Sequence, residues 1–443
     1  MTIEPDEPAV STDSLSPIWA PGYRHLTGDV TGVDFKYRVQ SEDFEVEEIP
    51  LEEPASEGTH SWIWIEKREI GTLEAIRALA RALQCDPESF GYAGRKDARA
   101  ITRQWLSVEH VTLDSIRSLQ LPSLRVIGCA KHTKKLRIGA LRGNRFSLLL
   151  RELRKEDADR MTQVLSRLQS EGLPNYFGAQ RFGRDGRTFE AGRMLLAGDS
   201  AGYLELLTSE KRNAPEAART QLGEAIRSGT RGDHRRLKEL VPLFSADPDL
   251  AAVAQQLARR PFDLEWAVRA IPSSTRKFHL SALQSRIFNR GLAARLTSGE
   301  RIEPGDRVIE FATMNAGRGG GTPVPLDIGQ ADLELLRGRA RGLEISASGR
   351  LPGHKVPLAQ GRPAEVEDSA LLAEGLTASD FERGAARDRP VGTRRPLFVP
   401  AEELSWSFVP GGCQLKFTLP RGSFATTFLE ELRKDFAAGG AQG

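Results

Sequence analysis

The feature that most constrains the fold of this chain is a hairpin pattern close to its end. Residues 404–408 alternate apolar with polar side chains, residues 410–412 (Pro-Gly-Gly) supply a turn, and residues 413–419 alternate again. A two-stranded hairpin is barely stable alone in water, so this one must pair with strands from another part of the chain. We therefore predict that the hairpin joins a sheet formed by the first 200 residues.

The first 200 residues carry several strand and helix patterns of their own. Residues 61–66 and 101–108 read as strands, and residues 145–151 read as a third. Apolar residues at helical spacing follow Gly71, and Thr72 is the predicted N-cap of that helix. This part of the chain can therefore supply the sheet that the hairpin needs.

The middle of the chain has a different texture, with helical segments rich in Ala, Arg and Glu followed by Gly- and Pro-rich stretches. We read it as an insertion into the sheet-containing domain. The predicted divisions are a disordered acidic tail at 1–21, the first part of the sheet domain at 22–200, the inserted domain at 201–394, the second part of the sheet domain at 395–437, and a flexible tail at 438–443.

Composition excludes several classes of protein. Of 443 residues, 39% are hydrophobic and 28% are charged, as in globular proteins, and no apolar run approaches the length of a membrane span. The acidic N-terminus resembles neither a secretory signal nor a transit peptide. The three widely spaced cysteines predict no disulfide framework and no zinc site, and they favour a cytoplasmic location.

A basic segment is the strongest charge feature, because residues 125–151 contain eight Lys and Arg residues and no acidic residue. The net charge of the whole chain is only +2, so any affinity for nucleic acid must come from a local patch such as this one. The pattern suits contacts with phosphates. It equally suits a solvated strand edge, where Lys discourages aggregation.

Two further segments could carry chemistry. Residues 175–183 combine three aromatic rings with an amide pair and an Arg, which is typical of a pocket for an unpaired base and also of a buried aromatic turn. In the polar loop 94–100, Asp97 is surrounded by cations that would keep it ionised. A loop Asp is more often a turn former, so neither segment decides the function alone. The sequence has no P-loop or HExxH motif, and we predict neither a cofactor nor a metal.

Taken together, six ordered motifs between residues 42 and 426 make the chain resemble the TruD family of tRNA pseudouridine synthases. The motifs are Glu42-Asp43-Phe44 with Glu48; Gly94, Lys96, Asp97, Ala100, Thr102 and Gln104; Lys134-Lys135-Leu136-Arg137 with Gly139, Leu141, Gly143, Asn144 and Phe146; residues 175–183; Gln284-Ser285 with Phe288-Asn289; and Leu419-Pro420 with Gly422-Ser423-Phe424-Ala425-Thr426.

The resemblance implies an α/β (α+β) fold, in which a pseudouridine synthase-like catalytic domain with a mixed, mainly antiparallel sheet is interrupted by an inserted α/β domain. It implies isomerisation of uridine to pseudouridine in tRNA at position 13, beside the D-stem, without a cofactor. tRNA is the expected partner, and we expect a monomer with no protein partner. The alternative, from a different class, is a catalytically silent RNA-binding protein or RNA chaperone on the same scaffold.

The resemblance also implies roles for individual residues. Asp97 corresponds to the catalytic carboxylate, and Lys96 is expected to keep it anionic. Phe177 is expected to stack on the extruded uracil, and Asn175 to hold polar edges near it. The remaining expected substrate contacts are Phe44, Glu48, Gln180 and Arg181, and the expected contacts with the RNA backbone are Lys134, Lys135, Arg137 and Arg142.

Overall fold

The computed structural model describes residues 17–183, 185–210, 212–228, 234–260, 263–315, 324–325, 330–383 and 388–435. Residues 1–16 of the predicted acidic tail and the predicted tail at 438–443 lie outside this set. The last five residues of the predicted acidic tail are not a tail: Ala20 is fully buried, and the ring of Trp19 stacks on that of Phe182 with centroids 5.6 Å apart. Apolar contacts therefore dock this segment onto the fold.

Strands occur mainly at the two ends of the described chain. In chain order they are β1 (Phe44–Pro50), β2 (His60–Arg68), β3 (Gly91–Tyr92), β4 (Ile101–Glu109), β5 (Leu124–His132), β6 (Leu141–Leu150), β7 (Leu173–Pro174), β8 (Arg307–Glu310), β9 (Val324–Pro325), β10 (Ile345–Leu351), β11 (Thr393–Pro396), β12 (Phe398–Val399), β13 (Glu402–Val409) and β14 (Gly412–Pro420).

Helices dominate the middle. They are α1 (Thr72–Leu83), α2 (Leu113–Arg117), α3 (Ala158–Glu171), α4 (Thr188–Ala197), α5 (Ser200–Ser209), α6 (Glu216–Arg227), α7 (His234–Leu240), α8 (Pro248–Arg259), α9 (Leu264–Ala270), α10 (Ser273–Ser298), α11 (Phe311–Asn315), α12 (Gln330–Arg341), α13 (Gly361–Leu372), α14 (Ala378–Arg383) and α15 (Ala425–Arg433). None of those in the described part of the chain combines the length and the apolarity of a membrane-spanning helix.

The main sheet has the strand order β13-β14-β6-β1-β4-β2-β5, and β3 also pairs with β4. β1 and β4 run parallel, whereas the other described neighbours in this sheet are antiparallel. The prediction of a mixed, mainly antiparallel sheet is therefore confirmed.

The C-terminal hairpin formed by β13 and β14 is part of this sheet. β14 pairs with β6 from Cys413 opposite Leu150 to Pro420 opposite Gly143. The hairpin thus obtains the partner strand that its own two strands could not provide, and the predicted pairing with the first 200 residues is confirmed. The chain leaves the sheet after β6 and returns to it through the hairpin.

Helices cover one face of the main sheet in two places, and a separate hydrophobic core forms at each place. The apolar stripe of α1, including Ile76 and Leu79, packs on Ile63 and Ile65, because alternate residues of β2 point to that face. Further along, α3 and α15 pack on the apolar residues of β6 and β14. The loop that leads from β3 into β4 runs between these two cores.

A separate core, which we call the second core because it lies outside the main sheet, belongs to the four-stranded sheet β11-β10-β8-β9 and to helices that include α4 and α10. Tyr176, Phe182 and Phe189 pack in this core with Leu283 of α10. The domain boundary that we predicted at residue 200 therefore falls inside one core. We propose instead that the inserted domain begins near residue 175, just after β7, because the side chains that follow are committed to the second core.

Candidate active site

A cavity of about 1290 Å³ opens beside the main sheet, where three segments meet. They are the loop 93–97 between β3 and β4, the connection 132–141 from the end of β5 to the start of β6, and residues 421–426 from the end of β14 into α15. β1 contributes Phe44 and Val46 to the wall. Each of these segments contains one of the motifs found in the sequence, although the motifs lie far apart along the chain.

Asp97 lies in this cavity, and its side chain is 53% exposed. Its carboxylate is held by Arg38, whose Nη2 donates to Oδ2 over 2.7 Å. The Arg38 guanidinium also lies 3.9 Å from the centre of the Phe44 ring, which fixes its position. Asp97 is thus an oriented carboxylate that a ligand in the cavity can still reach.

Arg38, and not Lys96, is the cation paired with Asp97. Lys96 lines the same cavity, but its ammonium forms an ion pair with Glu48 over 2.8 Å and donates to Asn144 Oδ1 over 2.7 Å. The expected role of Lys96 in keeping Asp97 anionic is therefore corrected. Residues adjacent in an extended loop point in different directions, so their order in the sequence did not reveal their partners.

Glu48 was expected to contact the substrate, but it does not line the cavity. Its side chain is 1% exposed and lies beneath Lys96, where it also accepts from the backbone N–H of Trp105 over 3.3 Å. Burial raises the pKa of Glu48, and the Lys96 ammonium opposes that shift. Glu48 therefore neutralises the buried Lys96 ammonium under the cavity floor.

The loop that carries Asp97 is anchored from below by side chains. The Thr72 hydroxyl accepts from the Lys96 N–H over 2.8 Å and donates to Gln104 Oε1 over 2.9 Å. The fully buried Lys67 donates to the carbonyl oxygen of Asp97 over 2.8 Å and to that of Ile70 over 2.6 Å. Burial lowers the pKa of Lys67 to about 8. The predicted N-cap role of Thr72 is wrong, because Gly71 occupies the N-cap and the Thr72 side chain holds the loop instead.

Most of the basic residues expected to contact RNA border the cavity. Lys134, Lys135 and Arg137 line it, on the connection between β5 and β6. Arg142 does not line it, because its side chain turns to the Pro50 carbonyl oxygen, with Nε donating over 3.3 Å. The positive charge at the cavity is completed by Arg421, which the sequence analysis did not single out.

The residues of segment 175–183 that were expected to contact the substrate lie in two different environments. Gln180 lines the cavity, whereas Asn175, Phe177 and Arg181 do not. Phe177 is 8% exposed and lies under the guanidinium of Arg395, whose carbon is 4.1 Å from the ring centre. Its expected stacking on uracil does not fit this position, because a buried cation already occupies one face of the ring.

Asn175 and Arg181 have structural partners of their own. Asn175 accepts from Arg395 Nη2 over 2.5 Å, and Arg395 Nη1 donates to the Gly422 carbonyl oxygen over 2.7 Å. Burial lowers the pKa of Arg395 to about 9. Arg181 donates to the Ser281 hydroxyl of α10 over 2.8 Å. Asn175 therefore acts on the cavity through Arg395, which holds the wall segment that begins at Gly422.

Besides Arg421, sequence reasoning missed two further residues of the cavity wall. Arg38 lies outside every motif, and only its position six residues before Phe44 could have suggested it. Phe424 lines the cavity within a quoted motif, yet no role was expected for it. Among the described residues, no group of three or more His, Cys, Asp and Glu side chains could hold a metal ion.

Known proteins are similar to this chain over most of its length. The family model for tRNA pseudouridine synthase D (TruD) matches residues 21–432. The tRNA pseudouridine synthase D of Geobacter sulfurreducens is 39% identical over 415 residues, which cover 93% of this chain and 97% of that protein. The protein of the same name from Thermus thermophilus is 33% identical over 415 residues, covering 93% and 92%.

A similar fold is also found among solved structures. The crystal structure of the putative tRNA pseudouridine synthase D (TruD) from Methanosarcina mazei matches with a TM-score of 0.72 at 25% sequence identity. The match covers 93% of this chain and 96% of that chain. The similarity therefore includes both the main sheet with its cavity and the segment inserted between β6 and β13.

Proposed function

Because the chain belongs to the TruD family of tRNA pseudouridine synthases, we propose that it isomerises uridine to pseudouridine in tRNA, at position 13 next to the D-stem, with Asp97 as the catalytic carboxylate. The partner is tRNA, no cofactor is used, and the protein acts as a monomer in the cytoplasm. The observation that carries the proposal is the position of Asp97, which is exposed in a cavity bordered by cations.

The reaction needs a group that is anionic and reachable. The bond from ribose C1′ to uracil N1 breaks, the base turns, and a bond from C1′ to C5 forms, while C5 loses a proton and N1 gains one. A carboxylate can assist as a nucleophile or as a base. The ion pair with Arg38 fixes the direction of the Asp97 carboxylate, while the 53% exposure of that side chain leaves room for either role.

The other residues of the cavity supply binding and shape. Lys134, Lys135 and Arg137 offer charge to RNA phosphates, and Gln180 offers an amide for hydrogen bonding to a base edge. Of the aromatic rings of the wall, Phe424 is only partly buried, so we assign to it the contact with the extruded base. Phe44, which is 2% exposed and has the Arg38 guanidinium over its ring, is even more buried than Phe177. Asn175, Phe177 and Arg181 support the wall from behind.

The decisive experiment replaces Asp97 by Asn, which keeps the size of the side chain and removes its charge and basicity. We expect no measurable conversion of uridine in a single-turnover assay with enzyme in excess over tRNA, while tRNA binding and the melting temperature stay unchanged. Asp114→Asn is the matched control, because that side chain is 93% exposed on α2. It should convert tRNA at the wild-type rate.

Two outcomes would contradict the proposal in different ways. Conversion by a folded Asp97→Asn protein would remove Asp97 from the catalytic role. Absence of conversion by the wild-type protein, with tRNA binding intact, would favour the silent RNA-binding protein or RNA chaperone instead.

A further inference from the structure

The connection that borders the cavity displays an unusual apolar residue. Ile138 is 78% exposed, more than any other large hydrophobic side chain in the described part of the chain. A single exposed apolar residue is common on protein surfaces. Ile138, however, lines the same cavity as Asp97, and it follows Lys134, Lys135 and Arg137 in the sequence.

The backbone around Ile138 is held firmly, although its side chain is free of contacts that would bury it. The Gly139 N–H donates to the Ala93 carbonyl oxygen over 2.7 Å, and Arg421 Nη1 donates to the Gly139 carbonyl oxygen over 2.8 Å. On the other side, Leu136 is buried, and its N–H donates to Ser107 Oγ over 2.9 Å. Ile138 is therefore presented at a fixed place relative to the loop 93–97, which carries Asp97.

An apolar side chain within a basic loop has a natural partner in a nucleic acid. The cations can neutralise phosphates, and the apolar group beside them is placed to enter the stack of bases. An enzyme that acts on a base of a folded RNA must first unstack it, and this step costs free energy. A rigidly held apolar group can offset that cost by filling the gap that the base leaves.

We propose that Ile138 is a wedge that enters the tRNA base stack beside the target uridine when that base moves into the cavity. This inference rests on the proposed function and extends it, since it assigns the opening of the stack to one side chain. Lys134, Lys135 and Arg137 hold the flanking phosphates, and Asp97 acts on the extruded nucleotide.

The first test measures conversion by Ile138→Ala, with Ile127→Ala as the matched control. Ile127 is 42% exposed on β5 and does not line the cavity. We expect Ile138→Ala to lower the single-turnover rate about tenfold, equivalent to about 1.4 kcal/mol of unstacking free energy. Its tRNA dissociation constant and melting temperature should stay within experimental error, because the cations and the buried anchors remain. Ile138→Leu should restore the rate.

The second test observes the unstacking itself and requires no conversion. A tRNA transcript with 2-aminopurine next to the target uridine becomes brighter when the stack opens. In an Asp97→Asn background, which keeps the uridine unconverted, we expect binding to raise the fluorescence when Ile138 is present. In the Asp97→Asn/Ile138→Ala protein, we expect most of that increase to disappear.

The outcomes separate the wedge from the function on which it rests. If the wild-type protein converts tRNA and Ile138→Ala converts it equally fast, the wedge is wrong and the proposed function stands. An equal fluorescence increase in both Asp97→Asn proteins would also overturn the wedge. If the wild-type protein converts no tRNA, the proposed function fails, and the fluorescence comparison still decides whether Ile138 opens the stack.

Discussion

Neighbouring residues in the loop that carries Asp97 have opposite environments, and this difference organises the site. Lys96 is 6% exposed and forms an ion pair with Glu48, whereas Asp97 is 53% exposed and forms an ion pair with Arg38. The buried pair fixes the loop from beneath. The exposed carboxylate remains available above it.

The buried pair leads to a prediction about stability. Glu48→Gln leaves the Lys96 ammonium buried without its counter-charge, so we expect it to lower the free energy of unfolding by about 3 to 5 kcal/mol. Glu45→Gln, which weakens a partly exposed pair with Arg103, should cost no more than about 1 kcal/mol. Denaturant titrations of the two variants would measure both values.

A double variant shows whether charge is the cause. Glu48→Gln/Lys96→Met removes the uncompensated cation, so it should recover much of the stability that Glu48→Gln forfeits. If the double variant is as unstable as the single one, the destabilisation comes from packing and not from the buried charge.

Sequence reasoning grouped several residues that the structure brings together, but it assigned their individual contacts less well. Asp97, Phe44, Lys96 and Gln180 were expected in one place, and the structure brings them to one cavity. Phe177 was expected to be open to a base, but whether a ring in a motif faces a cavity or a core depends on Arg395, which lies more than 200 residues away. No local pattern carries that information.

At the level of elements, the same limitation applies to helix α1. Thr72 fits the pattern of an N-cap, yet its hydroxyl bonds to the Lys96 N–H and to Gln104. The Thr72 side chain therefore makes tertiary hydrogen bonds and not the local bond of an N-cap. The start of the helix is thereby tied to the loop that presents Asp97.

The basic connection between β5 and β6 carries a prediction about salt dependence. Replacing Lys134, Lys135 and Arg137 together by Gln should weaken tRNA binding. The log-log slope against salt concentration should become shallower by about 0.7 to 0.9 for each phosphate that the protein no longer neutralises. Filter binding or fluorescence titration at several salt concentrations would measure it.

A matched substitution separates these residues from general positive charge. Arg125→Gln removes a cation from the same basic segment of the sequence, but Arg125 is paired with Glu66 and lies outside the cavity. The log-log slope of tRNA binding against salt concentration should be the same for Arg125→Gln as for the wild-type protein. An unchanged slope in the triple variant would instead support the solvated strand edge as the role of these residues.

At the scale of the whole molecule, the alternating pattern of the C-terminal hairpin was enough to place it in the main sheet. The division between the two cores was harder to predict, because the amphipathic pattern of α4 does not reveal which neighbour its apolar face meets. The segment before residue 22 was misjudged for a related reason. Its acidic composition suggested disorder, whereas the stacking of Trp19 on Phe182 holds its last residues on the fold.

Residues 19–27 connect the beginning of the described chain both to the second core and to the main sheet. Tyr23 stacks on Tyr176 of the second core with centroids 4.1 Å apart. A few residues later, the backbone N–H groups of Leu26 and Thr27 donate to the Glu431 carboxylate of α15 over 2.9 Å and 3.2 Å. The segment therefore joins the second core to a helix of the main sheet.

We predict that this segment stabilises the whole fold. Tyr23→Ala removes a buried ring and should lower the free energy of unfolding by about 3 to 5 kcal/mol, and Trp19→Ala, which removes a partly buried ring, should cost less. Ile18→Ala is the control, because Ile18 is 49% exposed and its removal should matter little. Hydrogen exchange should report weaker protection in α15 as well as around residue 176, since the segment holds both. If Tyr23→Ala and Trp19→Ala both melt like the wild-type protein, the segment contributes no stability, and residues 17–21 behave as the tail that composition suggested.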